Sequence, residues 1–294
     1  MALNLSGLST YVDERRLPLI GEAVLKSKTA SIVNIQSDVK FKSALNIISV
    51  APTLQDGAAC GWNAAGDAEL SQRVITAPVI KINQSFCHKD FLKYWTNFEC
   101  TIGAGDAKLP FEEYFVGQIV DNVKAKNEKL VWQGDTGASG ELALTDGFLK
   151  VLGDDAIAAT TNADAYTAIK NVYMAIPEKA LEKAVIFVGA DTYRSFIQSM
   201  VEKNLYHYSA DGVDQEFIFP ATNTKVVAVN GLNGTKKIVA ARPENLFIGV
   251  DMVNDAEKFD IWYSKDADEF RLNIQYNLGT QVAFPDEVVV GGLA

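Results

Sequence analysis

The stretch Glu269-Phe-Arg-Leu-Asn-Ile-Gln-Tyr-Asn-Leu278 decides the fold. Phe270, Leu272, Ile274, Tyr276 and Leu278 alternate without a break against Glu269, Arg271, Asn273, Gln275 and Asn277. A period of two means a strand with one face buried and one face wet. Ten residues span about 33 Å. That is long for a globular domain, so the segment must complete a sheet begun earlier in the chain. Gly279-Thr-Gln-Val-Ala-Phe-Pro-Asp-Glu-Val-Val-Val290 follows, with a turn at Ala283-Phe-Pro-Asp-Glu287.

Upstream, residues 145 to about 235 read as α/β. Thr161-x-x-Asp164 caps a helix with Tyr166, Ile169, Val172 and Tyr173 on one side. Pro177 opens a short helix. Val185-Ile-Phe-Val188 is a continuous apolar run, the pattern of a strand covered on both faces. Asp191 is expected to cap the next helix, with Phe196, Ile197, Met200 and Val201 inward. Val226–Val229 and Lys237–Ala240, joined by a Gly- and Asn-rich turn, are expected to form a hairpin. Strands are expected at Leu246–Val250 and Lys258–Ser264.

The strongest helix runs from Leu109 to about Leu130. Pro110 sits in the first turn, Glu112 and Glu113 lie near the N-terminus, and Lys124, Lys126 and Lys129 lie near the C-terminus. Phe111, Phe115, Ile119 and Val123, with Val116 and Val120, make one apolar stripe. Before it, Ala44–Val50 and Val74–Asn83 read as the strands of a long hairpin. Its irregular tip, residues 51–67, is rich in Gly and Ala. A two-stranded ribbon is marginal alone and needs a partner surface. Trp62 is the obvious anchor, with Leu54 beside it and Arg73 on the returning strand. Residues 1–35 read as an arm. Its short helical pattern after Pro18 includes Leu19, Ile20, Ala23, Val24 and Leu25, too few to fold alone. Arg15, Arg16, Leu19 and Ile20 are its candidate contacts with a neighbour.

The 294 residues, 48% hydrophobic and 22% charged, suit one large domain or two ordinary ones. No apolar run approaches the ~20 residues of a membrane helix. The N-terminus lacks the basic start and apolar stretch of a signal peptide. Cys60, Cys87 and Cys100 are therefore expected to be reduced thiols. A net charge of −10 argues against a dedicated nucleic-acid binder, but not against a container for DNA.

The order of parts resembles the major capsid proteins of tailed bacteriophages, the Hong Kong 97-type fold. Three stretches carry the resemblance: Arg73–Cys87 leading into an aromatic segment, Lys129-Leu-Val-Trp-Gln-Gly-Asp135 with Asp146-Gly-Phe-Leu149, and the tail quoted above. The resemblance implies an α+β fold in four parts. These are an N-terminal arm (1–35), an extended β-hairpin loop (36–85), a peripheral domain (86–144 and 241–294) with a spine helix at 109–130, and an α/β axial domain (145–240). It implies a non-enzymatic shell subunit that forms pentamers and hexamers around phage double-stranded DNA, touching the DNA weakly and without sequence preference. Portal, scaffolding, decoration and head–tail connector proteins would be its partners. The place would be the virion, assembled in the host cytoplasm. No cofactor, metal or membrane is implied. Relatives that begin with a cleaved scaffolding segment differ from this chain, which opens on arm-like sequence. The expectation is a separate scaffold or a mature form. Relatives welded by a lysine–asparagine bond carry the lysine on the extended loop. Here no lysine lies between Lys42 and Lys81.

Other chemistry is poorly supported. His88 near Cys87 and Cys100 lacks the paired spacing of a zinc site. His207 with Ser195, Ser199 or Asp191 would suit a soluble α/β hydrolase, but the G-x-S-x-G elbow is absent. Gly134–Gly140 lacks the lysine of a phosphate-binding loop. The aromatic residues from Phe86 to Phe98 read as core, and Asp154, Asp155, Asp266, Asp268 and Glu269 as solvated acidic turns. Within the same fold, the alternative is a nanocompartment shell that encloses an enzyme.

Overall fold

The computed structural model describes residues 22, 24–56, 62, 65–87, 111–205, 216–220, 222–251, 258–267 and 269–294. The fold is α+β and is built on two sheets and a ribbon. In chain order the strands are β1 (Asn34–Gln36), β2 (Phe41–Pro52), β3 (Gly66–Ala77), β4 (Val79–Cys87), β5 (Ile157–Ala158), β6 (Val185–Val188), β7 (Glu216–Ile218), β8 (Lys225–Ala228), β9 (Lys237–Ala241), β10 (Leu246–Val250), β11 (Lys258–Ser264), β12 (Glu269–Val282) and β13 (Val289–Gly292). The helices are α1 (Phe111–Gln133), α2 (Phe148–Leu152), α3 (Ala165–Met174), α4 (Glu178–Leu181) and α5 (Ala190–Glu202).

The quoted stretch is the middle of the first sheet. β4 and β11 flank the first part of β12, β10 pairs with its last five residues, and β1 adds to β10 in parallel. Phe270, Leu272, Ile274, Tyr276 and Leu278 are all buried, as the alternation requires. The strand runs past Leu278 to Val282, and there the alternation ends because both faces are covered. Tyr276 donates its hydroxyl hydrogen to Asn127 of α1, and burial pushes this phenol well above its usual range.

The second sheet has the order β5-β13-β9-β6-β8-β7. The expected hairpin at 226–240 is not one. β8 and β9 never pair; each pairs with β6, which lies between them. A continuous apolar strand needs cover and neighbours on all sides, and β6 takes both. Phe187, Val227 and Val239 face the α1 side, while Ile186, Val188, Val226 and Ile238 face α3 and α5. The sheet thus divides two apolar cores. Asp164 is the N-cap of α3, accepting from the Thr167 backbone N–H at 3.1 Å. Burial acts to raise this carboxyl, but the Lys203 and Thr167 hydrogen bonds overcome it and hold it well below the usual range. The cap of α5 is Gly189 instead of Asp191. Asp191 lies in the first turn and accepts from Gly234 N–H at 3.0 Å, which fastens the β8–β9 connection.

α1 begins and ends slightly later than expected, and its buried side is wider. Val116, Ile119, Val120 and Val123 are joined by Asn127, Glu128, Leu130, Val131 and Trp132. Trp132 is fully buried against Phe148 and Phe187, so one ring joins α1, α2 and the second sheet. One core runs from α1 across both sheets. The segment 241–294 also divides between them. β10–β12 belong to the first sheet, whereas β13 pairs with β9 and β5 in the second, apart from the peripheral strands with which it was expected. Asn245 fixes the corner between β12 and β13, exchanging two 2.6 Å hydrogen bonds with the Phe284 backbone.

Candidate functional site

β2 and β3 pair over twelve residues, from Phe41↔Ala77 to Pro52↔Gly66. At strand rise the ribbon is about 40 Å long. The expected second strand, 74–83, is split at Pro78, which has no N–H to donate to a ladder. Residues before it belong to the ribbon and residues after it belong to the first sheet.

The base of the ribbon is fastened to its own subunit. Val39, Ile75 and Ala77 are buried together, with Leu45 and Phe247 against them. Gly279 lies directly under β3; a Cβ there would sit 2.1 Å from the Thr76 carbonyl oxygen. Gln281 Nε2 donates to the Val74 carbonyl at 2.8 Å. Arg73, a candidate contact with a neighbour, lies 3.7 Å from Asp155 in an ion pair within its own chain. The acidic turn at 154–155 is therefore partly engaged. The chain passes into the ribbon through Asp38 and Phe41, whose φ angles are 62° and 75°. A bulky residue in this region of φ is held there by its surroundings.

The register sorts the ribbon into two unlike faces. One carries Leu45, Ile47, Arg73, Ser71, Glu69 and Asp67. The other pairs Ala44 with Val74, Asn46 with Gln72, Ile48 with Leu70, and Val50 with Ala68. The Asn46–Gln72 pair closes its own hydrogen bond at 2.9 Å. Outward from this pair the face is apolar and open to solvent: Ile48 is 63% exposed, Val50 62% and Leu70 78%. Trp62 is 92% exposed and Leu54 99%, so neither finds a pocket in its own subunit. The sequence around β2, Ala-Leu-Asn-Ile-Ile-Ser-Val, does not alternate. The apolar face appears only once β3 is set in register beside it.

The arm segment, too short to fold alone, was expected to lie on another part of the protein or on a neighbour, and its described part lies on the chain's own core. Arg15, Arg16, Leu19 and Ile20 lie outside the described residues. Within 24–36, Val24, Ala30 and Val33 are buried in the subunit's own core. β1 adds to β10, and Asn34 Nδ2 donates to the Glu244 carbonyl at 2.9 Å. Thr29 and Glu128 are polar and buried beneath this segment, and Trp132 Nε1 donates to Thr29 Oγ1 at 2.8 Å. Trp132 lies in the Lys129–Asp135 stretch that carries the resemblance, but no motif singled out Thr29 or Glu128.

His88, His207, Cys60 and Cys100 also lie outside the described residues. Ser195 and Ser199 donate to carbonyls one turn back on α5, at 3.3 and 3.0 Å. Among the described residues, no group of three His, Cys, Asp or Glu side chains gathers as a metal site would require. No helix among them is long and apolar enough to cross a membrane.

Solved structures share this architecture nearly end to end. The satellite phage P4 procapsid matches with a TM-score of 0.65 at 12% identity, covering 94% of this chain and 90% of that one. The capsid of an empty GTA particle matches with a TM-score of 0.56 at 12% identity, over 93% and 90%. A virus-like particle from Pyrococcus furiosus matches with a TM-score of 0.50 at 11% identity, over 99% of both chains. No family model and no curated protein matches the chain. At these identities the likeness is one of fold: the chain has the Hong Kong 97-type capsid fold.

Proposed function

We propose that this chain is the major capsid protein of a tailed phage, a structural and non-catalytic subunit that self-assembles into an icosahedral shell around double-stranded DNA. The observation that carries the reading is the ribbon. At the outer end of about 40 Å of paired strand, Ile48, Val50 and Leu70 form an apolar cluster that their own chain leaves uncovered. Monomeric proteins rarely expose large contiguous apolar clusters. A shell supplies the cover, because every subunit has a neighbour. Many equivalent contacts then make a modest energy per contact sufficient.

In this reading the first sheet and α1 form the peripheral domain. The second sheet with α3 and α5 forms the axial domain, packed around the pentamer and hexamer axes. The ribbon and the outer part of the arm reach to adjacent subunits. Portal, scaffolding, decoration and head–tail connector proteins are the partners the shell would need. Its place would be the virion, after assembly in the host cytoplasm. A second reading has one specific support, the particle from Pyrococcus furiosus that matches over the full length of both chains. There the shell would enclose protein cargo in place of a genome.

Electron microscopy and sizing of the purified chain test the proposal. Closed particles, capsomers or tubes are the expected result. A protein that stays monomeric under all assembly conditions, with its 44–83 segment protected from hydrogen exchange, would overturn it. Co-purified nucleic acid or a co-purified enzyme would separate the two readings.

A further inference from the structure

We propose that residues 24–33 form a proton-linked clasp on α1, in which Glu128 couples docking of the arm to the uptake of one proton.

Glu128 is 5% exposed and closed in from three sides. Its own helix provides Trp132 one turn on. The arm provides Thr29, whose hydroxyl stands between the two: it accepts from Trp132 Nε1 at 2.8 Å and donates to Glu128 Oε1 at 3.1 Å. The Thr29 backbone N–H donates to the same carboxylate. The third side is the turn Asn230–Leu232. A Cβ on Gly231 would fall 2.3 Å from both the Glu128 carbonyl oxygen and Trp132 Cδ1, so this backbone lies hard against the helix. Val24, Ala30 and Val33 of the arm are buried in the same core as Trp132.

Among the described residues, the charged groups facing the carboxylate are Lys124 on α1 and Lys28 on the arm; the 230–232 turn brings none. Burial raises the Glu128 carboxyl above its ordinary value, and this outweighs Thr29 and both lysines, which pull it down. The arm covers the carboxylate on the side where Thr29 bonds it. Lifting residues 24–33 away opens that side to water and moves the carboxyl toward the ordinary range. The docked state therefore holds the proton more tightly than the released state.

The sign follows from linkage. Docking has its full strength below the ordinary carboxyl value of 4.5. It weakens as pH rises from there to the raised value, and is constant above it. One proton is involved, so the released population rises at most about tenfold per pH unit in that window. Above the window the arm covers an ionised carboxylate, held by Thr29 and by apolar contact. The clasp operates within one subunit, so it does not depend on the shell reading.

Hydrogen exchange on the full-length chain tests it. The reporters are the Ser31, Ile32 and Val33 amides, which bond to the Ser27 and Thr29 carbonyls. After correction for intrinsic exchange, their protection should fall as pH rises through the window and then level off. Glu128→Gln keeps the shape and an acceptor for Thr29 but cannot ionise. Its protection should be flat with pH and match the low-pH value of the wild type. Thr29→Val removes a hydrogen bond that favours the carboxylate, so it should move the midpoint of the fall to higher pH while lowering protection generally. Wild-type protection that ignores pH, or an unchanged pH profile in Glu128→Gln, would overturn the proposal. If Glu128→Gln does not fold, an unmoved midpoint in Thr29→Val does the same.

Discussion

Replacing Ile48 and Leu70 together by alanine should separate the stability of the subunit from its capacity to assemble. The two side chains are cross-strand partners on the open face of the ribbon, 63% and 78% exposed. Burying a whole Leu or Ile side chain is worth about 1.5–3 kcal/mol. Scaled by those exposures and reduced for the methyl that alanine keeps, covering both on a neighbour contributes about 1–3 kcal/mol per contact. Within the monomer the same atoms already face water, so the change should stay within about 0.5 kcal/mol. At 1.4 kcal/mol per tenfold, the concentration needed for assembly should rise roughly 5- to 140-fold. Light scattering against protein concentration reads the threshold, and thermal unfolding of the unassembled subunit reads the control. An unmoved threshold would show that the face is not covered in the assembly. A thermal midpoint that falls along with assembly would show that the pair supports its own ribbon instead.

Three further outcomes are expected. Trp62→Ala should leave circular dichroism and the thermal midpoint of the subunit nearly unchanged while shell yield falls, since losing such an anchor typically costs about 2 kcal/mol or more per contact; equal loss in both would place the ring on its own hairpin. Truncation through residue 20 should leave a folded subunit, whereas truncation through residue 30 should lower its thermal midpoint, because Val24, Thr29 and Ala30 are buried; identical midpoints would mean that residues 24–30 contribute nothing to the core. With no lysine from Ser43 to Ile80, assembled material should run as single chains in hot denaturing detergent, and a covalent ladder under reducing conditions would reveal another cross-linking residue.

Reading the fold from the chain succeeds where one physical signal dominates. The alternation from 269 to 278 and the stripe on α1 each fix an element and its buried side before any tertiary contact is known. Leu246–Val250 and Lys258–Ser264 are likewise where the pattern places them. The failures are failures of partnership. Val226–Val229 and Lys237–Ala240 look like a hairpin because they are adjacent and joined by a turn. Only the demand of β6 for two neighbours separates them. β13 leaves the first sheet for the second because β9 offers it an edge, and nothing in Val-Val-Gly-Gly records that choice. The candidate site divides in the same way. Trp62 and Leu54 are conspicuous as large apolar residues in a stretch of small ones. Ile48, Val50, Leu70 and Val74 become one face only through a cross-strand register, and Thr29 meets Glu128 across 99 positions of sequence.

β12 is the strand to which β4, β10 and β11 all pair, and it is made after all three of them. The first sheet therefore has no middle until residues 269–282 emerge, and β9 lacks its β13 neighbour until a few residues later. Folding that waits on such distant pairings is slow. A polypeptide interrupted upstream keeps its ribbon sequence but has no finished body to carry it. Incomplete chains are thereby excluded from any assembly that requires the folded body, and the order of synthesis serves as an inspection of each subunit before it joins.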